Sequence, residues 1–291
     1  MTSRKRNLSI GAATVSALAL LAACSSGSGT EPGTGTESTD GAEAMDVAVA
    51  PPEALAAEGS ITYCATLDNP PRGFVNEDAE EAGFEVDLGT EMAALMGLEV
   101  TWLQLTFDGL ISALQADQCD AIVQELFIKP ERLEIIDMIP FSNSGQQLVV
   151  HADSDLELET LEDGAGLKVG VPNGTTVQTL ATEANAELEA AGKDKIDLLT
   201  LPTTTDTFHQ LSSGLLDAVG TTTTAAAYYA ALSPDEFRLT GEPFGLIETG
   251  IGVKKGNTEV FNALDAAFQE IVDSGRYGEL IEEWNLQGSE L

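Results

Sequence analysis

Leu110-Ile111-Ser112-Ala113-Leu114-Gln115-Ala116-Asp117-Gln118-Cys119-Asp120-Ala121-Ile122-Val123 sets a helix and a strand in immediate succession. Leu110, Ile111 and Leu114 share one face at helical spacing, Asp108 stands where a cap belongs, and from Asp120 the chain turns to the unbroken apolar character of a buried strand. Upstream, 100–105 reads as a strand and 88–96 as a helix capped by Asp87 and closed by Gly97. The first strand falls at 61–65. Strand, helix, strand, helix, strand implies a parallel sheet covered on both faces.

Downstream the alternation continues. Residues 147–150 are extended, 167–171 form a strand, and 175–191 form a helix opening directly after Asn173-Gly174. A helix at 207–213, a strand at 216–219, a helix at 225–232 and a returning strand at 246–253 follow. Two amphipathic helices, 259–274 and 277–284, finish the chain. The pattern predicts two α/β lobes joined by two crossing strands, near 145–151 and 245–252.

The sequence carries 48 acidic against 13 basic side chains over 291 residues, a formal charge of −35. Nucleic acid is thereby excluded as a partner, because association would meet repulsion instead of releasing counterions. With a hydrophobic fraction of 43%, the chain has enough apolar surface for a real core under a strongly solvated exterior.

Arg4, Lys5 and Arg6 precede an apolar stretch at 8–19 that is too short to span a bilayer, the layout of an export signal. It ends in Leu21-Ala22-Ala23-Cys24, which resembles the bacterial lipobox. That resemblance implies a signal peptide at 1–23, cleavage before Cys24, and lipid attachment to that cysteine. Residues 25–58 are rich in Gly, Ser, Thr, Pro and Glu and cannot offset the entropy of ordering; with Cys24 they form a flexible tether over 24–58. Loss of the signal removes three basic residues and leaves 10 basic against 48 acidic, a formal −38. Cys64 and Cys119 remain as an even pair in an oxidising compartment, each beside an apolar run. A disulfide is feasible if the two runs are neighbouring strands; free buried thiols are the alternative. No His/Cys/Asp set has metal-ligand spacing, and no cofactor is implied.

Asp68-Asn69-Pro70-Pro71, Gly83-Phe84-Glu85-Val86-Asp87-Leu88, Cys119-Asp120-Ala121-Ile122, Pro130-Glu131-Arg132, Gly170-Val171, Gly174-Thr175-Thr176 and Leu216-Asp217-Ala218-Val219 occur in one order. Together they resemble the family 3 extracellular solute-binding proteins over about residues 59–286. The resemblance implies a type II periplasmic-binding fold, with lobe 1 at 59–146 plus 250–291 and lobe 2 at 147–249. It further implies a monomer that closes by hinge motion over a small polar solute and serves an ABC permease at the outer face of the cell membrane. Arg132 matches the arginine that grips a ligand carboxylate, and Gly174, Thr175 and Thr176 match the helix start that offers N–H groups and a hydroxyl to the same anion. Phe74 and Phe107 match places on the cleft walls.

Two positions depart from that pattern. Where α-amino-acid binders place an aspartate against the ammonium, this chain has Thr222, which cannot cancel a full charge. Glu125 stands where a small residue is usual. Either Glu125 supplies the missing negative charge to an amino acid, modified amino acid or zwitterionic compatible solute, or it pairs internally with Lys129 or Arg132. An exported dehydratase-like enzyme using Glu125 as acid or base, and a sensor without a transport role, are the competing functions.

Overall fold

The computed structural model describes residues 47–291. The leader at 1–23, Cys24 and most of the 24–58 tether lie outside the described residues. The first lobe contains β1 (Ser60–Ala65), a small antiparallel sheet of β2 (Asp68–Asn69), β3 (Gly73–Val75) and β4 (Glu81–Ala82), then α1 (Phe84–Leu95), β5 (Glu99–Gln104), α2 (Leu110–Gln115), β6 (Ala121–Ile122) and α3 (Pro130–Leu133). A long strand, β7 (Ile136–His151), leads into the second lobe: β8 (Lys168–Pro172), α4 (Thr176–Ala190), β9 (Asp197–Leu201), α5 (Thr204–Ser212), β10 (Ala218–Thr222) and α6 (Thr223–Leu232). The chain returns along β11 (Phe237–Lys254) and ends with α7 (Thr258–Asp273) and α8 (Arg276–Glu283).

Among the described residues, the strands apart from β2–β4 hydrogen-bond in the order β5-β1-β6-β11-β7-β10-β8-β9. β1 runs parallel to β5 and β6, and β8 runs parallel to β9 and β10, as the alternation of strands and helices predicts. The central pair, β7 and β11, is antiparallel and joins the two lobes. Its register shifts between Thr240 and Phe244, between Phe244 and Ile247, and between Thr249 and Gly250, so the connecting ribbon is broken into short regular pieces. Each lobe has its own core. Phe84, Leu88, Phe141, Ile251 and Phe268 meet in the first, and Leu148, Val150, Val171, Val177 and Leu188 meet in the second. Each such side chain contributes roughly 1.5–3 kcal/mol on burial.

Two helix starts differ from the sequence reading. The helix predicted over 88–96 begins at Phe84, and Asp87 is not its cap. Gly83 holds that place at φ 124°, and the N–H groups of Phe84 and Glu85 donate to the carbonyls of Pro71 and Arg72 at 3.1 and 2.7 Å. The loop thus supplies the acceptors that a capping side chain would provide. Asp87 instead accepts from the Trp284 indole at 2.8 Å, pinning α1 to the end of the chain. Asp108 does not cap α2 either: it lies in a 3₁₀ turn, Phe107–Gly109, and its carboxylate reaches the other lobe.

Cys64 of β1 and Cys119, just ahead of β6, form a disulfide, with Cα atoms 5.7 Å apart. The paired strands bring them within reach, and the closed loop of 55 residues contributes about 4 kcal/mol on the chain-entropy account.

Candidate functional site

Among the described residues, three side-chain hydrogen bonds join the two lobes away from the ribbon. Asn173 Nδ2 donates to Asp108 Oδ2 at 2.9 Å, the Thr204 N–H to Asp68 Oδ2 at 3.1 Å, and Thr224 Oγ1 to Glu125 Oε1 at 2.9 Å. Between them lies a cavity of about 40 Å³, walled on the first lobe by Thr66, Asp68, Asn69, Phe107, Gln124, Glu125 and Phe127. Gln146 comes from the ribbon, and Thr175, Thr176, Val177, Thr221 and Thr222 are among the residues of the second lobe. A water needs about 10–15 Å³ on this measure. The cavity as it stands has room for a few waters.

Of the residues singled out from sequence, Phe107, Glu125, Thr175, Thr176 and Thr222 line this cavity. Thr175 caps α4: its hydroxyl donates to the Pro172 carbonyl at 2.7 Å and accepts from the Gln178 N–H at 3.4 Å. Gly174 donates its N–H to Gln178 Oε1 at 2.6 Å and stands against Asp108 of the opposite lobe. Thr176 Oγ1, by contrast, is buried without a partner.

Arg132 is buried just behind the wall. Its Nη1 donates to the Phe127 carbonyl at 2.9 Å, and its guanidinium carbon lies 5.5 Å from the centre of the Phe107 ring. Burial lowers its pKa to about 10, against a small opposing pull from Glu131. Glu131 itself pairs with Lys129 at 2.8 Å, so Arg132 has no ion-pair partner among the described residues. Phe74 does not line the cavity. Its ring packs edge-on against Trp284 at 6.0 Å and beside Tyr228 at 6.3 Å, because β3 faces the end of the chain and α6.

Glu125 pairs internally, but with neither Lys129 nor Arg132. Its partner is Arg72, whose Nε sits 3.2 Å from Oε1. That N–H is not aimed along the line of contact, so the attraction is Coulombic. Glu125 Oε2 accepts from Asn69 Nδ2 at 2.8 Å. Arg72, fully buried, extends the network to the ribbon, donating to Ser142 Oγ at 2.5 Å and to the Asn143 carbonyl at 3.2 Å. Glu85 lies in the same cluster; burial pushes its carboxyl up to about 8, Arg72 pulling it down and Glu125 pushing it further up. Asp68 is raised chiefly by burial, although N–H and hydroxyl donors from Thr204 and Thr66 oppose the shift.

Arg72, Asn69, Gln146 and Thr224 play no part in the sequence reading of the site. Arg72 directly follows the Pro70-Pro71 pair, and Thr224 ends the threonine run that contains Thr222. Nothing local in the sequence marks either as facing Glu125. The adjacent Gln146 and Gln147 carry a usable signal, since two consecutive amides leading into the apolar run Leu148-Val149-Val150 need partners on both faces of the strand.

Two α/β lobes, a two-stranded ribbon between them and a polar cavity pinched beside that ribbon define a two-lobed receptor of the type II periplasmic-binding architecture. The chain belongs to the bacterial extracellular solute-binding proteins, family 3, whose model matches residues 61–287. It is 27% identical over 216 residues to the L-cystine-binding protein TcyJ of Escherichia coli (strain K12), covering 74% of this chain and 78% of that one. It is 29% identical over 237 residues to the arginine-binding protein ArgT of Corynebacterium glutamicum, covering 81% and 77%. Among solved structures, an ancestral arginine-binding protein bound to glutamine superposes with a TM-score of 0.72 at 31% identity, covering 78% of this chain and 98% of that one.

Proposed function

We propose that this chain is the lipid-anchored receptor of an ABC importer and captures a small carboxylate-bearing solute: an amino acid, a modified amino acid or a zwitterionic compatible solute. One observation carries the reading. Arg132 is a buried guanidinium with no ion-pair partner among the described residues, set over the ring of Phe107 and donating to the backbone carbonyl of Phe127, both of which line the cavity between the lobes. A buried charge held without a partner is costly, and a solute carboxylate meets that need with bidentate geometry. Thr176 Oγ1 and the start of α4 are the second hold on the same anion.

Asp68 is the carboxylate that receives a cationic group of the solute, since Glu125 already has Arg72, Asn69 and Thr224 as partners. The same partners favour capture over catalysis, because a proton shuttle needs a freer carboxylate. Cys24 supplies the anchor, and the tether that lets the receptor reach its permease ends before Val49. Against the sequence expectation of a tether to residue 58, Val49 is buried and its N–H donates to the Leu95 carbonyl at 3.0 Å, and the Ala56 N–H donates to Asp120 at 2.8 Å, docking this stretch on the first lobe. No helix among the described residues is long and apolar enough to cross a membrane.

Mass spectrometry of the denatured, purified protein identifies the retained solute, and calorimetric titration follows its affinity. Arg132→Ala is expected to weaken binding at least a hundredfold and Arg132→Lys to recover only part of it. Unchanged affinity in Arg132→Ala contradicts the assignment.

A further inference from the structure

Gln146 and Gln147 are consecutive in β7, so their side chains project to opposite faces of the ribbon. Gln147 is satisfied: its Nε2 donates to the carbonyls of Thr240 at 2.7 Å and Gly241 at 3.1 Å. Gln146 is 1% exposed and lines the cavity, and its Nε2 has no acceptor. The stem is held in place by its cross-strand partners, Thr222 of β10 and Phe244 of β11.

A count of protons shows why this amide matters. Thr222 occupies the position where the family resemblance leads one to expect an aspartate, and it sits directly opposite Gln146. The single hydroxyl proton of Thr224 goes to Glu125 Oε1 at 2.9 Å. The 3.2 Å contact between the hydroxyls of Thr222 and Thr224 must then be donated by Thr222, whose oxygen also accepts the Ala225 N–H at 3.4 Å. A directed chain runs from the start of α6 through both threonines to Glu125, and it consumes the protons of both. The Gln146 amide, opposite Thr222, is an unspent side-chain donor beside it.

We propose that Gln146 is a specificity-determining residue, its Nε2 donating to an oxygen of the bound solute on the ribbon side of the cavity. The solute therefore presents a carbonyl, carboxyl or hydroxyl oxygen there, and an ammonium group is disfavoured at that point. This inference rests on the receptor reading above. A buried amide left unpaired in the solute-free protein is costly, and the solute removes that cost.

The test uses the full chain, stripped of solute by unfolding and refolding, with L-glutamine, L-arginine, L-histidine, L-cystine and glycine betaine as probes. Gln146→Leu is expected to weaken the tightest-binding probe at least tenfold while leaving the solute-free melting temperature unchanged or raised. Gln146→Glu, which replaces the donor with an acceptor, is expected to weaken it at least as much. A lowered solute-free melting temperature in Gln146→Leu overturns the proposal whatever happens to affinity, because it marks a structural amide. Retained affinity in either variant also overturns it. Should the unaltered protein bind none of the probes while Arg132→Ala behaves identically, the receptor reading for amino-acid-type solutes fails. In that case the Gln146 assignment falls with it, whereas a probe that binds the unaltered protein and Gln146→Leu equally well overturns the Gln146 assignment alone.

Discussion

Burial pushes the Glu85 carboxyl up to about 8 from an unfolded value of 4.5, and this single residue sets a pH dependence for the whole chain. Between those values the folded protein keeps a proton that the unfolded chain has released. Stability therefore falls as pH rises through that window and levels off above it. Asp68, raised by burial, works in the same direction, whereas Asp137 and Glu283, lowered by Lys255 and Arg276, act below about pH 4.5. Urea midpoints measured from pH 5 to pH 8 are expected to fall steadily, and Glu85→Gln is expected to flatten that slope. An undiminished slope in the variant contradicts this origin. None of it is legible in the sequence, where Glu85 is one residue of the Gly83–Leu88 motif ahead of the predicted helix. Its environment comes from Arg72 and Glu125, which chain folding alone brings together.

Elements with local causes were readable, and elements with distant causes were not. The helices over Thr176–Ala190 and Thr258–Asp273 are close to their sequence spans because capping residues and apolar spacing lie within the segment itself. The sequence predicts β11 only over 246–253, although it runs from Phe237 to Lys254. Gly241, Pro243 and Gly245 interrupt its alternation, and the register shifts there hide the strand from any period-two pattern. The contact of α4's leading loop with the first lobe is similarly invisible in sequence, and a role for it in closure is testable. Gly174 adopts φ +75°, and a Cβ there would sit 2.8 Å from the Cβ of Asp108 across the cleft. Gly174→Ala is expected to cost about 1 kcal/mol for the left-handed backbone whether the lobes are open or closed. The steric clash adds a penalty only in the closed form. Solute affinity should then fall by more than stability does, and small-angle scattering with saturating solute should retain the larger radius of the open protein. Equal losses in affinity and stability, or a full contraction with solute, contradict a role in closure.

At the scale of the whole molecule, the charge visible in the composition becomes a property of the folded surface. Arg276 holds Glu91, Glu279 and Glu283, and Lys254 and Lys255 hold Asp117 and Asp137, but 48 acids against 13 bases leave most carboxylates facing others of their kind. Folding concentrates this charge, so self-repulsion opposes the compact state more than the expanded one. Added salt has two opposing effects: it weakens the exposed pairs of Arg276 and screens the general repulsion. Surface pairs contribute about 0–1 kcal/mol each, and the excess of 35 negative charges outweighs them. The Debye length shrinks from about 10 Å at 0.1 M to about 3 Å at 1 M. The melting temperature should therefore rise as sodium or potassium chloride increases across that range, by similar amounts for the two cations. Arg276→Gln should steepen the rise, because it removes the pairs that salt weakens. A melting temperature that falls with salt would show that the ion pairs dominate, and a rise confined to one cation would point to site binding in place of screening.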